Sequence, residues 1–227
     1  MNKVLEIQFS GWTATPRMPF IISGSDKGGS VCLHTPTYSC LLGLIGCCLG
    51  RVVASSEIQL GFYYEFDSVN KDLENRKRLS NKRNRITPHA DGDSVYLLEF
   101  HANPLLILWI NRTDWKDYFL SPIGTPSLGR SQDILEIDYV REIEIASVDE
   151  GEVSGCMLPF SGELQAGGQL VQLAESFAEN EEPGTGRTPQ KSKVFLSIPH
   201  DNRVMIKYPN LFKTQNAKTF YLHQFNK

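Results

Sequence analysis

Residues 32–51 read CLHTPTYSCLLGLIGCCLGR, and this stretch decides how the rest of the chain is arranged. Thr35 suits an N-cap, Pro36 suits the first helical position, and Gly50 suits the residue just past a helix end. Tyr38, Leu41, Leu42, Ile45, Cys48 and Leu49 recur at helical spacing. The run is too short to span a bilayer. Gly43 and Gly46 each weaken a helix by about 1 kcal/mol relative to alanine. Their presence is explained if the helix lies close against a sheet.

Strand patterns flank this helix. Before it, Val4 to Phe9 alternates as VLEIQF, with Val4 out of step, and a loop-like segment with Pro16, Pro19 and a Gly/Ser run follows. After it come strands at Ile58 to Phe66, Val95 to Phe100 and Leu105 to Ile110. A short helix is predicted at Asp114 to Leu120 and an alternating strand at Ile134 to Val148. The order is strand, helix, three strands, short helix, strand. It predicts an α+β fold with a ferredoxin-like or RRM-like palm over residues 1–150. Residues 151–227 read as a smaller β-rich region. Its elements are a helix or strand at Leu170 to Phe177, an exposed loop over residues 180–193, a hairpin of Val194 to Ile198 with Val204 to Lys207, and a last strand at Thr219 to Phe225.

Charge is unevenly placed. The 227 residues carry a formal net charge of −3. Between residues 71 and 85, however, Lys71, Arg76, Lys77, Arg78, Lys82, Arg83 and Arg85 face only Asp72 and Glu74, a local net of +5. The remaining 16 basic and 24 acidic residues leave −8 elsewhere. Residues 71–93 therefore read as a polar basic arm tethered between two strands. Several arginines and lysines together suit phosphate contact, and arginine's planar fork also stacks on bases.

The five cysteines are odd in number and include no CxxC pair, a reduced, intracellular pattern. No signal peptide is read before Val4. Cys32, His34 and Cys40 lack a fourth partner for a metal and read as ordinary residues. No Walker motif, HExxH or carboxylate cluster at ligand spacing is present, so no metal or cofactor is expected.

These pieces, in this order, resemble the Cas-five family of CRISPR effector complexes, of the RAMP superfamily, with a type I-B-like subtype as the first guess. The resemblance rests on the loop with Arg17-Met18-Pro19, the helix start Thr35-Pro36-Thr37-Tyr38-Ser39-Cys40-Leu41-Leu42-Gly43-Leu44, and Asn81-Lys82-Arg83. It continues through Phe100-x-x-Asn103-Pro104 into Ser127-Leu128-Gly129-Arg130-Ser131. It covers roughly the first 135 residues. It implies a cytoplasmic, non-catalytic subunit of a type I surveillance complex that holds the 5′ handle of the guide RNA. The basic arm would be the family's thumb. Partners implied are a backbone subunit of Cas-seven type, a large subunit of Cas-eight type and target DNA. The RNA-binding candidates are Arg17, Tyr38, Arg76, Lys77, Arg78, Lys82, Arg83, Arg85, His89 and Arg130, through phosphate pairing and base stacking. The helix N-terminus would add backbone amides.

Two other readings compete. One branch of the family processes precursor guide RNA as a metal-independent endoribonuclease, for which Tyr38, His34, His89 and Lys82 could serve as base and cation. The adjacent Lys-His pair of that branch is missing, since His89 lies between Pro88 and Ala90. The other reading, a generic RRM-type single-strand binder, needs paired aromatics on central strands, and the first strand offers only Phe9.

Overall fold

A computed structural model describes residues 2–18, 30–82, 85–90, 92–162, 164, 166–180 and 186–225. In chain order the elements are β1 (Asn2–Gly11), β2 (Thr13–Ala14), α1 (Tyr38–Leu49), β3 (Gln59–Glu65), β4 (Ser68–Arg76), β5 (Leu79–Lys82), β6 (Arg85–Pro88), β7 (Ser94–Ala102) and β8 (Leu105–Ile110). Then follow α2 (Lys116–Leu120), β9 (Leu135–Val153), β10 (Cys156–Pro159), β11 (Gln169–Glu179), β12 (Arg187–Ile198), β13 (Val204–Thr214), β14 (Thr219–Tyr221) and β15 (His223–Gln224). Strand dominates, so the α+β expectation shifts toward a β-rich architecture.

The main sheet runs β14-β13-β9-β1-β8-β3-β15. Its four central strands, β9-β1-β8-β3, are antiparallel to their neighbours. Both ends of the list belong to one short segment: β14 pairs with β13, and two residues later β15 pairs with β3. The sheet therefore curls until residues 219–224 bridge its two edges.

Curling gives both faces a core. On the outer face Leu5, Ile7 and Phe9 of β1 and Phe62 and Tyr64 of β3 pack with Leu41, Ile45 and Cys48 of α1. On the inner face Val4, Trp109, Ile145, Phe220 and Leu222 form a second cluster, with Trp109 stacked on Phe220 at 4.2 Å. Each fully buried side chain of this size stabilises by about 1.5–3 kcal/mol. Val4 breaks the simple alternation of its strand because it belongs to that inner core. Glu6, also inward, is buried and accepts hydrogen bonds from Trp109 Nε1 (2.7 Å), Tyr139 OH (3.0 Å) and Arg141 Nε (2.8 Å).

α1 starts two residues later than the sequence predicts. Thr37, not Thr35, is the N-cap, accepting from the Cys40 amide at 3.2 Å, and Gly50 closes the helix in the left-handed conformation. Thr35 is instead buried against Ser197, the two hydroxyls 2.8 Å apart. A Cβ on Gly46 would lie 2.7 Å from the Arg51 carbonyl oxygen, whereas one on Gly43 would meet nothing within 4 Å. The glycines thus do not both serve sheet packing: Gly46 admits the chain just after the helix, and Gly43 faces an open groove.

Three other expectations change. Residues 71–93 are not a loop: β4 and β7 pair from Ser68↔Ala102 to Arg76↔Ser94, and β5 and β6 continue as a hairpin. Nine paired residues make this ribbon about 30 Å long before its tip. Much of the predicted 180–193 loop is strand, since β12 begins at Arg187 and pairs with β11 from Glu179 to Gln169. β12 and β13 do not pair with each other. β12 lies between β10 and β11, while β13 joins the main sheet. As a result Met157, Val171, Leu173 and Phe195 share one core with the residues of β1 and α1, across the expected boundary at residue 150.

Candidate nucleic-acid interface at the root of the basic ribbon

Residues 15–18 and 30–33 run antiparallel. The Met18 amide donates to the Val31 carbonyl (3.0 Å), the Leu33 amide donates to the Pro16 carbonyl (2.7 Å), and Arg17 forms a bridge with Cys32. This pair leads straight into α1. On its other side, the Thr15 amide donates to the Leu128 carbonyl at 2.9 Å, which docks the 127–131 turn. Gly129 has φ +113°, and a Cβ there would lie 2.4 Å from the Thr15 carbonyl oxygen. Only glycine allows so close an approach.

Three segments therefore converge. Thr15, Pro16, Arg17, Thr37, Cys40 and Gly129 line one notch of about 200 Å³. The N-terminus of α1 opens on it. Helix geometry gives the Tyr38 and Ser39 amides no intrahelical acceptor, and no acidic residue sits in the first turn to neutralise them. Arg17 is half-buried, and its Nε is sealed from solvent with no hydrogen-bond partner among the described residues. A helix start, present through Thr37 and Cys40, and an arginine lining one small cavity suit an oxyanion such as phosphate.

The notch sits at the root of the ribbon. The Glu99 amide of β7 donates to the Ser30 carbonyl (2.9 Å), and the Cys32 amide donates to the Glu99 carboxylate (3.2 Å). Along the ribbon Lys71, Lys77 and Arg85 are exposed. Arg78 is half-buried, and its carbonyl accepts from the amide of half-buried His89 at 2.9 Å. The backbones of Arg76 and Lys82 end β4 and β5. Arg83 and the side chains of Arg76 and Lys82 lie outside the described residues.

Two predicted contact residues are corrected. Tyr38 is a core residue: it is 2% exposed, its OH donates to the Met157 carbonyl at 2.6 Å, and its ring stacks on His223 at 4.1 Å. Burial holds its hydroxyl well above the ordinary tyrosine range. It is out of reach of RNA as a stacking surface, and as a base.

Arg130 is also committed elsewhere. Its side chain is 8% exposed; its Nε and Nη2 donate to Asp133, and its Nη1 lies 3.7 Å from Asp72 of β4. Asp133, fully buried, also accepts from Thr13, Thr15 and the Arg130 amide. Arg130 thus ties the turn to the ribbon rather than offering a free cation.

Burial also shifts a thiol and two imidazoles in this part of the molecule. Burial, with the carboxylates of Glu99 and Asp133 adding to it, pushes the Cys32 thiol up to about 12. Burial pulls His101, bonded through Nδ1 to Tyr64, down to about 3. Burial likewise lowers His223 to about 4. Among the described residues no group of three His, Cys, Asp or Glu side chains is arranged to hold a metal ion, and no helix is long and apolar enough to cross a membrane.

Of the residues singled out from the sequence, Arg17 and the Gly129 turn line this notch; Thr15 and Cys40, not singled out as contacts, line it too, and Asp133 anchors the turn beside it. The spacing of Arg130 and Asp133, three apart across a tight turn, was the signal for the last.

No family model and no curated protein sequence matches the chain. Solved structures share its fold. A chain of a "CRISPR RNA-guided surveillance complex" is 13% identical with a TM-score of 0.56, over 89% of this chain and 91% of that one. A chain of the Type III-B Cmr-beta complex bound to cognate target RNA is 12% identical with a TM-score of 0.51, over 98% and 99%. A CRISPR protein from Archaeoglobus fulgidus is 8% identical with a TM-score of 0.55, over 98% and 100%. At these identities the likeness is one of fold.

Proposed function

We propose that this chain is a non-catalytic RNA-binding subunit of a CRISPR RNA-guided complex, of the Cas-five kind, that holds the 5′ handle of the guide RNA. The four central strands with α1 and α2 act as a ferredoxin-like palm, and the β4–β7 ribbon with its β5–β6 tip acts as the thumb. The observation that carries this reading is the convergence of Arg17, the α1 N-terminus and the Gly129 turn on one notch at the foot of a basic ribbon. One backbone phosphate fits the notch, and further phosphates run along Lys71, Lys77 and Arg85. Such contacts fix the strand's position without reading its bases. Sequence choice is left to guide pairing. Backbone-type and large subunits are the proposed protein neighbours.

The test is purification of the chain with its partners from the cell that expresses it natively, followed by sequencing of the bound RNA. The expected result is a population of guide RNAs sharing one 5′ end, depleted when Arg17→Glu is introduced. A mixed RNA population, or retention unchanged by Arg17→Glu, would overturn the reading.

A further inference from the structure

A second cavity, of about 610 Å³, opens on the inner face of the curled sheet, away from α1. Its walls come from β3 (Tyr63), β9 (Glu150, Glu152), β13 (Arg203 beside it, and Lys213) and the segment before β14 (Lys218). Tyr63 points to the opposite face of β3 from Phe62 and Tyr64, which belong to the α1 core.

Lys218 is the unusual group. Its Nζ sits 3.0 Å from the centroid of the Tyr63 ring. Among the described residues no carboxylate lies within ion-pair distance of it; the Tyr63 hydroxyl itself is bonded to Glu65. Burial depresses its ammonium to about 8, against weaker opposing fields from Glu65 and Glu6. A desolvated cation without a counter-ion is costly, and the cost is relieved when an anion fills the space before it. Two more cations flank that space: Lys213 is exposed, and Arg203, 74% exposed, reaches Glu152 only at 3.8 Å. Glu150 and Glu152 add acceptors of the type that bind exocyclic amines of bases. The volume falls in the range of small-ligand sites.

We propose that this pocket binds a nucleotide, with its phosphate between Lys218, Lys213 and Arg203 and its base toward Glu150 and Glu152. The site is separate from the notch at α1 and does not rest on the guide-RNA role. The phosphate could be supplied by a free mononucleotide or by one residue of an RNA strand.

The experiment uses the full chain and amine acylation at pH 8, read residue by residue by mass spectrometry. An amine titrating near 8 is about half neutral there, whereas an ordinary lysine is under about 1% neutral. Lys218 should therefore react ahead of exposed Lys3 and Lys207. Adenosine monophosphate or a six-nucleotide single-stranded RNA, at millimolar concentration, should slow Lys218 by about fivefold or more while leaving Lys3, on another strand and outside the pocket, unchanged.

Protection by RNA alone assigns the site to a phosphodiester; protection by both assigns it to nucleotides generally. Protection by neither overturns the proposal. Lys218→Met keeps the apolar stem and removes only the charge, so the fold should persist, with an unchanged or higher Tm. Its affinity for the protecting ligand by calorimetry should fall at least about tenfold. Wild-type affinity in a folded Lys218→Met would overturn the proposal as well.

Discussion

Arg130 grips Asp133 through two hydrogen bonds, from Nε at 3.2 Å and from Nη2 at 3.0 Å, with the carboxylate sealed from solvent. The pair holds a turn in place between the notch and the ribbon. Burial alone would raise the Asp133 carboxyl, but the hydrogen bonds from Arg130, Thr15 and Thr13 outweigh it and hold the group below its ordinary value.

That balance fixes a pH dependence. A group whose folded pKa is depressed adds stability above its unfolded value, about 3.9 for aspartate, and loses it as pH falls through the lower folded value. Urea unfolding between pH 3 and pH 7 should show wild type losing stability at the acid end of this window. Asp133→Asn should be weaker at pH 7 by about 3 kcal/mol, because Arg130 is left buried beside a neutral partner. Its excess loss toward acid should vanish.

Tyr38→Phe removes only the hydroxyl bonded to Met157 and should cost about 1 kcal/mol. Tyr38→Ala should cost about 3–5 kcal/mol by emptying the core. RNA retention by the folded Tyr38→Phe protein should equal wild type. A selective loss of RNA with unchanged stability would return Tyr38 to the binding surface.

The two helix glycines should respond with opposite signs. Gly43→Ala places a methyl in open space and should stabilise by about 0.5–1 kcal/mol through helix propensity. Gly46→Ala drives a methyl against the Arg51 carbonyl and should destabilise by about 1–3 kcal/mol. Thermal unfolding of the two single variants checks both.

The ribbon should contribute charge rather than fold. Replacing exposed Lys71, Lys77 and Arg85 with glutamate should leave Tm nearly unchanged, since none is buried. In a salt series on the assembled complex, RNA binding should weaken and the log–log slope should flatten by about 2, at roughly 0.7 per lost single-strand phosphate contact. Preference for the correct handle over a scrambled one should change less.

How much of this was legible can be argued from particular residues. The order of β1, α1 and β8 was readable because Leu5, Ile7 and Phe9 alternate on the face toward α1, and because Leu105 to Ile110 is a continuous apolar strand matching β8 residue for residue. In the ribbon β7 was readable, with Leu98 and His101 buried, but β4, β5 and β6 were not, because their exposed side chains impose no period: Leu73 pairs with Leu97 yet both stay open to solvent. For the same reason the Arg187 end of β12 read as a loop. In the candidate site Arg17, singled out from its loop, does line the notch. The burial of Tyr38 and the engagement of Arg130 depend on Met157, His223 and Asp133, partners that only the folded chain brings near.

The bridging of both sheet edges by residues 219–224 also dictates a timetable. Translation delivers every other strand of the main sheet before this segment, at about 5–20 residues per second. Until it arrives, β3 and β13 each present an unpaired backbone edge, and the inner core lacks Phe220 and Leu222. Such edges invite pairing with other chains. The molecule's exposure to misassembly is thus concentrated in the interval before residues 219–224 are delivered, and these six residues end it by sealing two rims at once.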